Sequence, residues 1–271
     1  MGGLMPSRAE ALKQLEAQQW DLVVIGGGIS GAGVTQQAAR QGWSVLLVEQ
    51  RDFAWGTSSR SSKLVHGGLR YLKEGDLKTT LHSVRERNRL LREAPGLVEP
   101  QSFLFADCPG RKPGRWLMQT GLVVYDLMAG QRSHFHADLA TTQALAPGLA
   151  PPGLRGALVF QDAKTDDARL VLRVLQEARQ LGATTLNYLA ASGLRLEQGR
   201  VAGLELRDAL DGTSYSVRAG CVVNATGAWA DRLRTGVGGT PLLRPLRGSH
   251  LVVPFWRLPV AQSISLMHPR D

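Results

Sequence analysis

The chain has 271 residues, 43% of them hydrophobic and 20% charged, with 32 Lys and Arg against 23 Asp and Glu for a formal charge of +9. This is ordinary globular usage, which excludes a disordered or fibrous chain, and no apolar run approaches the ~18 residues of a spanning helix. The basic surplus is spread along the chain and points to an anionic ligand or surface; with no zinc-finger, basic-zipper or aromatic-studded RNA-binding pattern, no nucleic-acid partner is expected.

Residues 1–19 carry Arg8, Glu10, Lys13 and Glu16 without a long apolar core, so a secretory signal is not expected. Within them, residues 7–18 read as a short amphipathic helix, an N-terminal extension in front of the fold. Residues 20–25 (WDLVVI) are a short β-branched apolar run suited to a buried parallel strand. An alanine-rich helical stretch reaches Arg40, Gly42 is a natural stop, and residues 43–48 (WSVLLV) make a second buried strand closed by Glu49. Together they have the size of one βαβ unit.

Residues 51–63 form a polar loop with Ser58, Ser59, Ser61 and Ser62. Residues 76–93 read as a charged helix ended by Pro95, and 116–128 as an apolar helix preceded by Arg111, Lys112 and Arg115. Residues 166–181 are a further amphipathic helix. From 184 to 217 short strands turn at Gly199 and Asp211-Gly212 in an antiparallel pattern. Residues 221–225 are again a fully apolar strand, followed by Thr226-Gly227 and a helical 228–233. Cys108 and Cys221 stand far apart without metal-ligand spacing, so a reducing compartment and no metal site are expected. The pattern is α/β with an inserted antiparallel part.

Gly26, Gly28 and Gly31 match G-x-G-x-x-G between the first strand and its helix. The first glycine serves a tight turn, the second the approach of a pyrophosphate to the backbone, the third helix–strand packing. The helix start, with Ile29 in its first turn, offers free N–H groups and a positive dipole end to phosphates. Glu49 lies 18 residues after Gly31, where a carboxylate accepts from ribose hydroxyls. Such an acid disfavours NADP and leaves NAD and FAD open.

The run Arg60-Ser61-Ser62-Lys63-Leu64-Val65-His66-Gly67-Gly68-Leu69-Arg70-Tyr71-Leu72 resembles the signature of the FAD-dependent, quinone-linked glycerol-3-phosphate dehydrogenases. Three further blocks agree in the same order: Thr165-Asp166-Asp167-Ala168-Arg169-Leu170, Val223-Asn224-Ala225-Thr226-Gly227-Ala228-Trp229 and Arg247-Gly248-Ser249-His250-Leu251-Val252-Val253-Pro254. The resemblance runs from about residue 20 to the end, and Ala228 stands where many relatives carry proline. Family members continue well past this point, so the chain is expected to be their N-terminal portion, with the C-terminal part missing.

The fold the resemblance implies is a Rossmann-like FAD-binding domain (20–94 and 158–235) with an inserted, mixed α/β substrate domain built on an antiparallel sheet (95–157 and 236–271). The implied reaction oxidises sn-glycerol 3-phosphate to dihydroxyacetone phosphate by hydride transfer to FAD, with electrons passed to a membrane quinone. The expected location is the cytoplasm, peripherally on the inner face of the cell membrane, with a homodimer as an option. A flavin amine or amino-acid oxidase and a non-catalytic FAD-binding fragment are the alternatives.

The resemblance also implies site roles, each with a plainer alternative. Gly67 and Gly68 would let backbone approach the flavin ring, or would form a helix-start turn. Ser61, Ser62 and Lys63 would contact pyrophosphate and ribityl chain, and in isolation would be only a polar loop. Arg70 offers a planar fork of donors to a phosphate, with Tyr71 as a hydroxyl partner; its alternative is a surface salt bridge. His250, before an expected strand at 251–253, is the first candidate for the base or a substrate ligand, against a satisfied structural histidine. His66 is the second candidate, with cofactor-side packing as its plainer role. Thr226 and Gly227 are expected beside the cofactor and Trp229 in the core. Asp166 and Asp167 read as helix-capping acids. The helix at 116–128 fits a membrane surface or the core of the substrate domain.

Overall fold

The computed structural model of the protein describes residues 7–110, 114–149 and 151–265. In chain order its helices are α1 (Arg8–Gln14), α2 (Ile29–Arg40), α3 (Leu69–Lys73), α4 (Leu77–Glu93), α5 (Arg115–Ala129), α6 (Leu139–Leu145), α7 (Asp167–Gln180) and α8 (Ala230–Thr235). Its strands are β1 (Gln19–Ile25), β2 (Val45–Val48), β3 (Leu64–Val65), β4 (Val98–Asp107), β5 (Phe135–Asp138), β6 (Gly156–Thr165), β7 (Thr184–Leu186), β8 (Leu189–Glu197), β9 (Arg200–Asp208), β10 (Ser214–Asn224) and β11 (Ser263–Ser265). Side-chain caps start several helices. Ser7 and Glu10 form a capping box on α1, while Asp76 and Asp138 accept from the Thr79 and Thr141 amides at the starts of α4 and α6.

The chain divides into two compact units. The first takes the described residues of Met1–Ser61 and Asp167–Gly248, the second those of Ser62–Asp166 and Ser249–Asp271. The first is built on a six-stranded sheet in the order β7-β2-β1-β10-β9-β8. β1 runs parallel to β2 and β10, with Val24 opposite Leu47 and Val223, and β7 is parallel to β2. The apolar run of β1 is buried on both sides because alternate residues face two layers. Leu22 and Val24 join Val45 and Leu47 against Ala32 and Ala39 of α2 and Val171, Leu175 and Ala178 of α7. Val23 and Ile25 face the opposite way, with Leu46, Val48, Leu189, Leu204, Leu206 and Val217. Each of the Val, Leu and Ile side chains among them contributes ~1.5–3 kcal/mol on burial.

The sequence reading set residues 1–19 in front of the fold, but α1 is part of the first unit. Ala11 and Leu15 are buried in the sheet's second layer, Trp20 Nε1 donates to the Leu15 carbonyl, and Arg8 pairs with Asp208 at 2.7 Å. The apolar strand read at 221–225 is the tail of the longer β10. β10 pairs antiparallel with β9 over its first half and parallel with β1 over its second.

The second unit holds a sheet in the order β11-β4-β6-β3, with β5 also on β6. β4 and β6 pair antiparallel from Val98 opposite Thr165 to Asp107 opposite Gly156. Phe103, Phe105, Leu158 and Phe160 pack on one face with Leu122 of α5, and Phe103 stacks on Phe160 at 5.4 Å. The arrangement is the expected one, a Rossmann-like unit with a mixed α/β unit inserted in its chain, whose sheet is antiparallel except for β11, parallel to β4. The boundaries differ from the sequence reading, which changed over after residues 94, 157 and 235. Residues 62–94 go with the second unit because β3 pairs with β6 and Arg87 of α4 is bonded to Tyr125 of α5 and Asp162 of β6.

The strand expected at 251–253 does not form. Residues 239–254 have no regular structure, with Leu251 90% and Val252 97% exposed. The short strand that does form near the end of the described chain is β11, parallel to β4 at Phe103–Phe105.

Candidate nucleotide cleft and the Asp162 cluster

In the first unit the turn from β1 to α2 opens into a cleft of about 430 Å³, lined by Gly26, Gly28, Glu49, Trp55, Trp229 and Arg232 among others. Gly26 has φ +113°, and a Cβ there would lie 2.5 Å from the Ala225 carbonyl oxygen. A Cβ on Gly31 would lie 1.9 Å from the Gly26 oxygen, so the turn and the helix close on each other only with hydrogen at both positions. Gly28 starts α2 with no side-chain cap and no acid in the first turn, which leaves the positive end of the helix to an anion. Ile29, also on the cleft wall, donates its amide to Ser58 Oγ at 3.0 Å.

Glu49 is fixed by backbone. Its Oε2 accepts from the Gly27 amide at 2.7 Å and its Oε1 from the Arg51 amide at 2.9 Å. Each carboxylate oxygen has a second lone pair, so Glu49 can still accept from a ribose hydroxyl. Thr226 and Gly227 line the opposite wall, where Thr226 Oγ1 donates to Asn224 Oδ1 at 2.7 Å. The donors and acceptors present therefore fit a pyrophosphate joined to a ribose.

Trp229, expected in the core, is half-buried on the cleft wall. Its ring lies 5.7 Å from that of Trp55, tilted by 32°, and the Arg51 guanidinium lies over Trp55 at 4.1 Å. Sequence reasoning missed Trp55 and Arg51, since a tryptophan in a polar loop gives no periodic signal. Ser61 is tied to the start of α7, its amide and hydroxyl donating to Asp167 Oδ2 at 3.2 and 2.7 Å.

Ser62, Lys63, His66, Gly67 and Gly68 belong to the second unit, not to the residues lining this cleft. Here the structure builds a second cluster around Asp162 of β6, whose side chain is only 3% exposed. Asp162 Oδ1 accepts from the Gly67 amide at 2.8 Å and lies 3.2 Å from Nη1 of the buried Arg87. Arg87 Nη1 also donates to the Tyr125 hydroxyl at 2.8 Å. Burial raises the Tyr125 hydroxyl well above its ordinary 10.0, the Asp162 charge adds to that, and Arg87 opposes it. His66 presents Nδ1 to Asp162 Oδ2 at 3.5 Å, its ring 57% exposed.

A Cβ on Gly67 would fall 1.8 Å from the Tyr125 hydroxyl, so this glycine is required by the packing of Tyr125 and Arg87. Gly68, at φ +86°, heads α3. Gly68 thus forms the helix-start turn, while Gly67 makes room for Tyr125. Tyr71 is exposed on α3; Arg70 has its backbone in the same helix, and its side chain lies outside the described residues. His250 is exposed in the irregular 239–254 segment and is not among the residues that contact Asp162. Among the described residues no group of three His, Cys, Asp or Glu side chains is placed to hold a metal, and no helix is long and apolar enough to cross a membrane.

A parallel βαβ core, a glycine-closed turn under a helix whose N-cap is itself glycine and an acid at the end of β2 define a dinucleotide-binding α/β protein. Residues 21–270 match the FAD dependent oxidoreductase family, and the chain belongs to it; the family's cofactor is FAD. The chain is 35% identical over 265 residues to an aerobic glycerol-3-phosphate dehydrogenase of Staphylococcus epidermidis, covering 96% of this chain and 48% of that protein. It is 38% identical over 268 residues to an alpha-glycerophosphate oxidase of Streptococcus pyogenes, covering 95% and 44%. Among solved structures, glycerol-3-phosphate dehydrogenase from Bacillus halodurans complexed with FAD superposes with a TM-score of 0.67 at 32% identity, covering 85% of this chain and 38% of that one. The chain spans about half the length of the curated relatives it matches.

Proposed function

We propose that the protein takes part in the FAD-dependent oxidation of sn-glycerol 3-phosphate at C2, giving dihydroxyacetone phosphate. The observation that carries this is identity of 35% and 38%, along nearly the whole chain, to relatives named for glycerol 3-phosphate. The cleft residues would hold the cofactor. The start of α2 faces the pyrophosphate, Glu49 accepts from a ribose hydroxyl, and Trp55 and Trp229 offer aromatic faces. Bound FAD supplies the acceptor for the hydride that leaves C2.

The chain's own residues handle the proton. Oxidation at C2 releases the hydroxyl proton as the C2–O bond becomes a carbonyl, and a neutral imidazole is suited to take it. By sequence the first candidate for that role is His250 and the second His66. It passes to His66, because a buried carboxylate backs its Nδ1 while the ring stays open to solvent. Tyr71, and Arg70 beside it in the chain, are assigned to the substrate phosphate, where a planar guanidinium can donate two parallel bonds.

Electrons leave to a membrane quinone in this reading. Trp116, Leu117 and Leu127 are exposed on α5 beside Arg115, a combination that supports peripheral contact with the inner face of the cell membrane. The oxidase name of the streptococcal relative favours a second reading in which dioxygen is the acceptor.

The test is the visible spectrum of the FAD-loaded chain, followed anaerobically as glycerol 3-phosphate is added. Loss of the oxidised-flavin absorbance with glycerol 3-phosphate, and none with amino acids, is expected. Loss with an amino acid alone would select an amino-acid oxidase, and a chain that takes up no FAD would overturn the reading. Re-oxidation by a soluble quinone compared with air separates the two acceptors.

A further inference from the structure

Asp162 is the best-tethered carboxylate near the proposed proton acceptor, and its two oxygens are used differently. Burying a carboxylate is costly unless it is hydrogen-bonded and paired with an opposite charge. Oδ1 meets both needs, with the Gly67 amide at 2.8 Å and the Arg87 guanidinium at 3.2 Å. Arg87 is itself held in place by the Tyr125 hydroxyl and by Asn88 Oδ1. Asp162 also accepts from the Tyr125 hydroxyl, and its Oδ2 faces His66 Nδ1 at 3.5 Å, at the margin of the buried network, with the imidazole tilted against Phe103.

A carboxylate only accepts. When His66 is neutral, the favoured tautomer therefore carries its proton on Nδ1, toward Oδ2, and keeps a lone pair on Nε2. Without a neighbour a neutral imidazole has no such fixed choice. We propose that Asp162 is a positioning residue for His66. Through Oδ1 it pins the Gly67 amide, and with it the backbone that carries the ring; through Oδ2 it fixes the tautomer and so leaves Nε2 as the acceptor. Arg87 supplies the counter-charge, and Gly67 is glycine so that Tyr125 can reach Arg87 from the other side. The catalytic consequence rests on the role proposed for His66, whereas the tautomer is a property of the polypeptide.

The deciding measurement is a long-range proton–nitrogen correlation spectrum of the histidine-labelled full chain, at a pH where the ring is neutral. His66 is assigned by the signal lost in His66→Asn. The Nδ1–H pattern is expected in the wild type, and an Nε2–H pattern overturns the proposal. In Asp162→Asn the amide oxygen can still accept from Gly67 while the NH₂ donates to the ring, so His66 switches to the Nε2–H form. Flavin reduction by glycerol 3-phosphate is then slowed by about 10²–10⁴-fold, in kcat rather than KM. A folded Asp162→Asn chain with an unchanged tautomer also overturns the proposal. The wild-type spectrum decides even where the variant, which leaves Arg87 without its carboxylate, fails to fold. An Nδ1–H signal in a chain that glycerol 3-phosphate does not reduce supports the positioning role and refutes the substrate reading. Reduction by glycerol 3-phosphate with an Nε2–H signal does the reverse.

Discussion

Helix α2 contains two glycines whose surroundings are opposite, which makes a matched pair of substitutions. At Gly31 an added Cβ would stand 1.9 Å from the Gly26 carbonyl oxygen, 3.1 Å from its carbon and 3.4 Å from Ala225 Cβ. At Gly33 it would meet nothing within 4 Å. Contacts under 3.0 Å do not persist, so Gly31→Ala must push the first turn of α2 away from the glycine turn. Overpacking of this kind costs ~1–3 kcal/mol. Gly33→Ala instead removes the backbone-entropy penalty of a helix-interior glycine and gains ~0.5–1 kcal/mol. The two variants should therefore differ by ~1.5–4 kcal/mol, although each adds the same methyl group to the same helix. Urea unfolding followed by circular dichroism measures the difference. A parallel titration with FAD should show binding weakened at least ~tenfold in Gly31→Ala, equivalent to ~1.4 kcal/mol lost as the amide ends are displaced, and unchanged in Gly33→Ala. If Gly31→Ala proves as stable as Gly33→Ala, the turn is not closed by that contact and the argument for the cradle fails.

Replacing Arg87 by Met keeps most of the volume but strands Asp162 in the interior, so a loss of ~3–5 kcal/mol is expected in chemical denaturation. A loss below ~1 kcal/mol, the range of an exposed ion pair, would show that the cluster is not a coupled unit. Burial pushes the Asp126 carboxyl up, but hydrogen bonds from Ser133 and His134 outweigh it and hold the folded-state value below the ordinary 3.8. A depressed folded value contributes stability that is present above the unfolded value and lost as the pH falls through the folded one. The wild type should thus lose stability more steeply below about pH 4 than Asp126→Asn, and parallel acid-unfolding curves would refute the assignment. Trp229→Ala removes one face of the cleft wall opposite Trp55. An aromatic contact of ~0.5–1.5 kcal/mol predicts FAD binding weaker by about two- to tenfold, read from quenching of tryptophan emission on titration. Unchanged affinity would place Trp229 away from the cofactor.

The parts of the fold legible in the sequence are those whose cause lies within a few residues. The β1–α2–β2 unit shows as two β-branched runs around a glycine turn, and α4 as a charged stretch opened by Asp76. The pairing of β4 with β6 is not legible in this way. Their paired residues lie 49 to 67 positions apart, Pro100 and Glu99 interrupt the apolar pattern, and the register from Val98 to Asp107 is set by a partner still to come in the chain. The converse failure is at 251–253, where three β-branched or apolar residues read as a strand yet pair with none, and Leu251 and Val252 stand exposed. Propensity proposes a strand, and only a partner makes one.

The same division runs through the site. Phosphate recognition needs a backbone shape, and glycines at fixed spacing encode that shape locally, so Gly26, Gly28 and Gly31 are legible in the sequence itself. Proton handling needs a charged group taken out of water and balanced there, and the balancing groups come from distant elements. Gly67 is 95 residues from Asp162, and Arg87 is 38 from Tyr125. Nothing marks Arg87 among the charges of α4, or Asp162 at the end of an apolar run, until the strands are paired. Gly26 and Gly67 therefore look alike in the sequence and differ in cause. Gly26 is glycine because its own turn needs φ +113° beside Ala225, whereas Gly67 is glycine because a tyrosine from another helix fills the place of its side chain. A glycine next to a candidate histidine thus carries a packing requirement of its own, set by a helix far away in the chain.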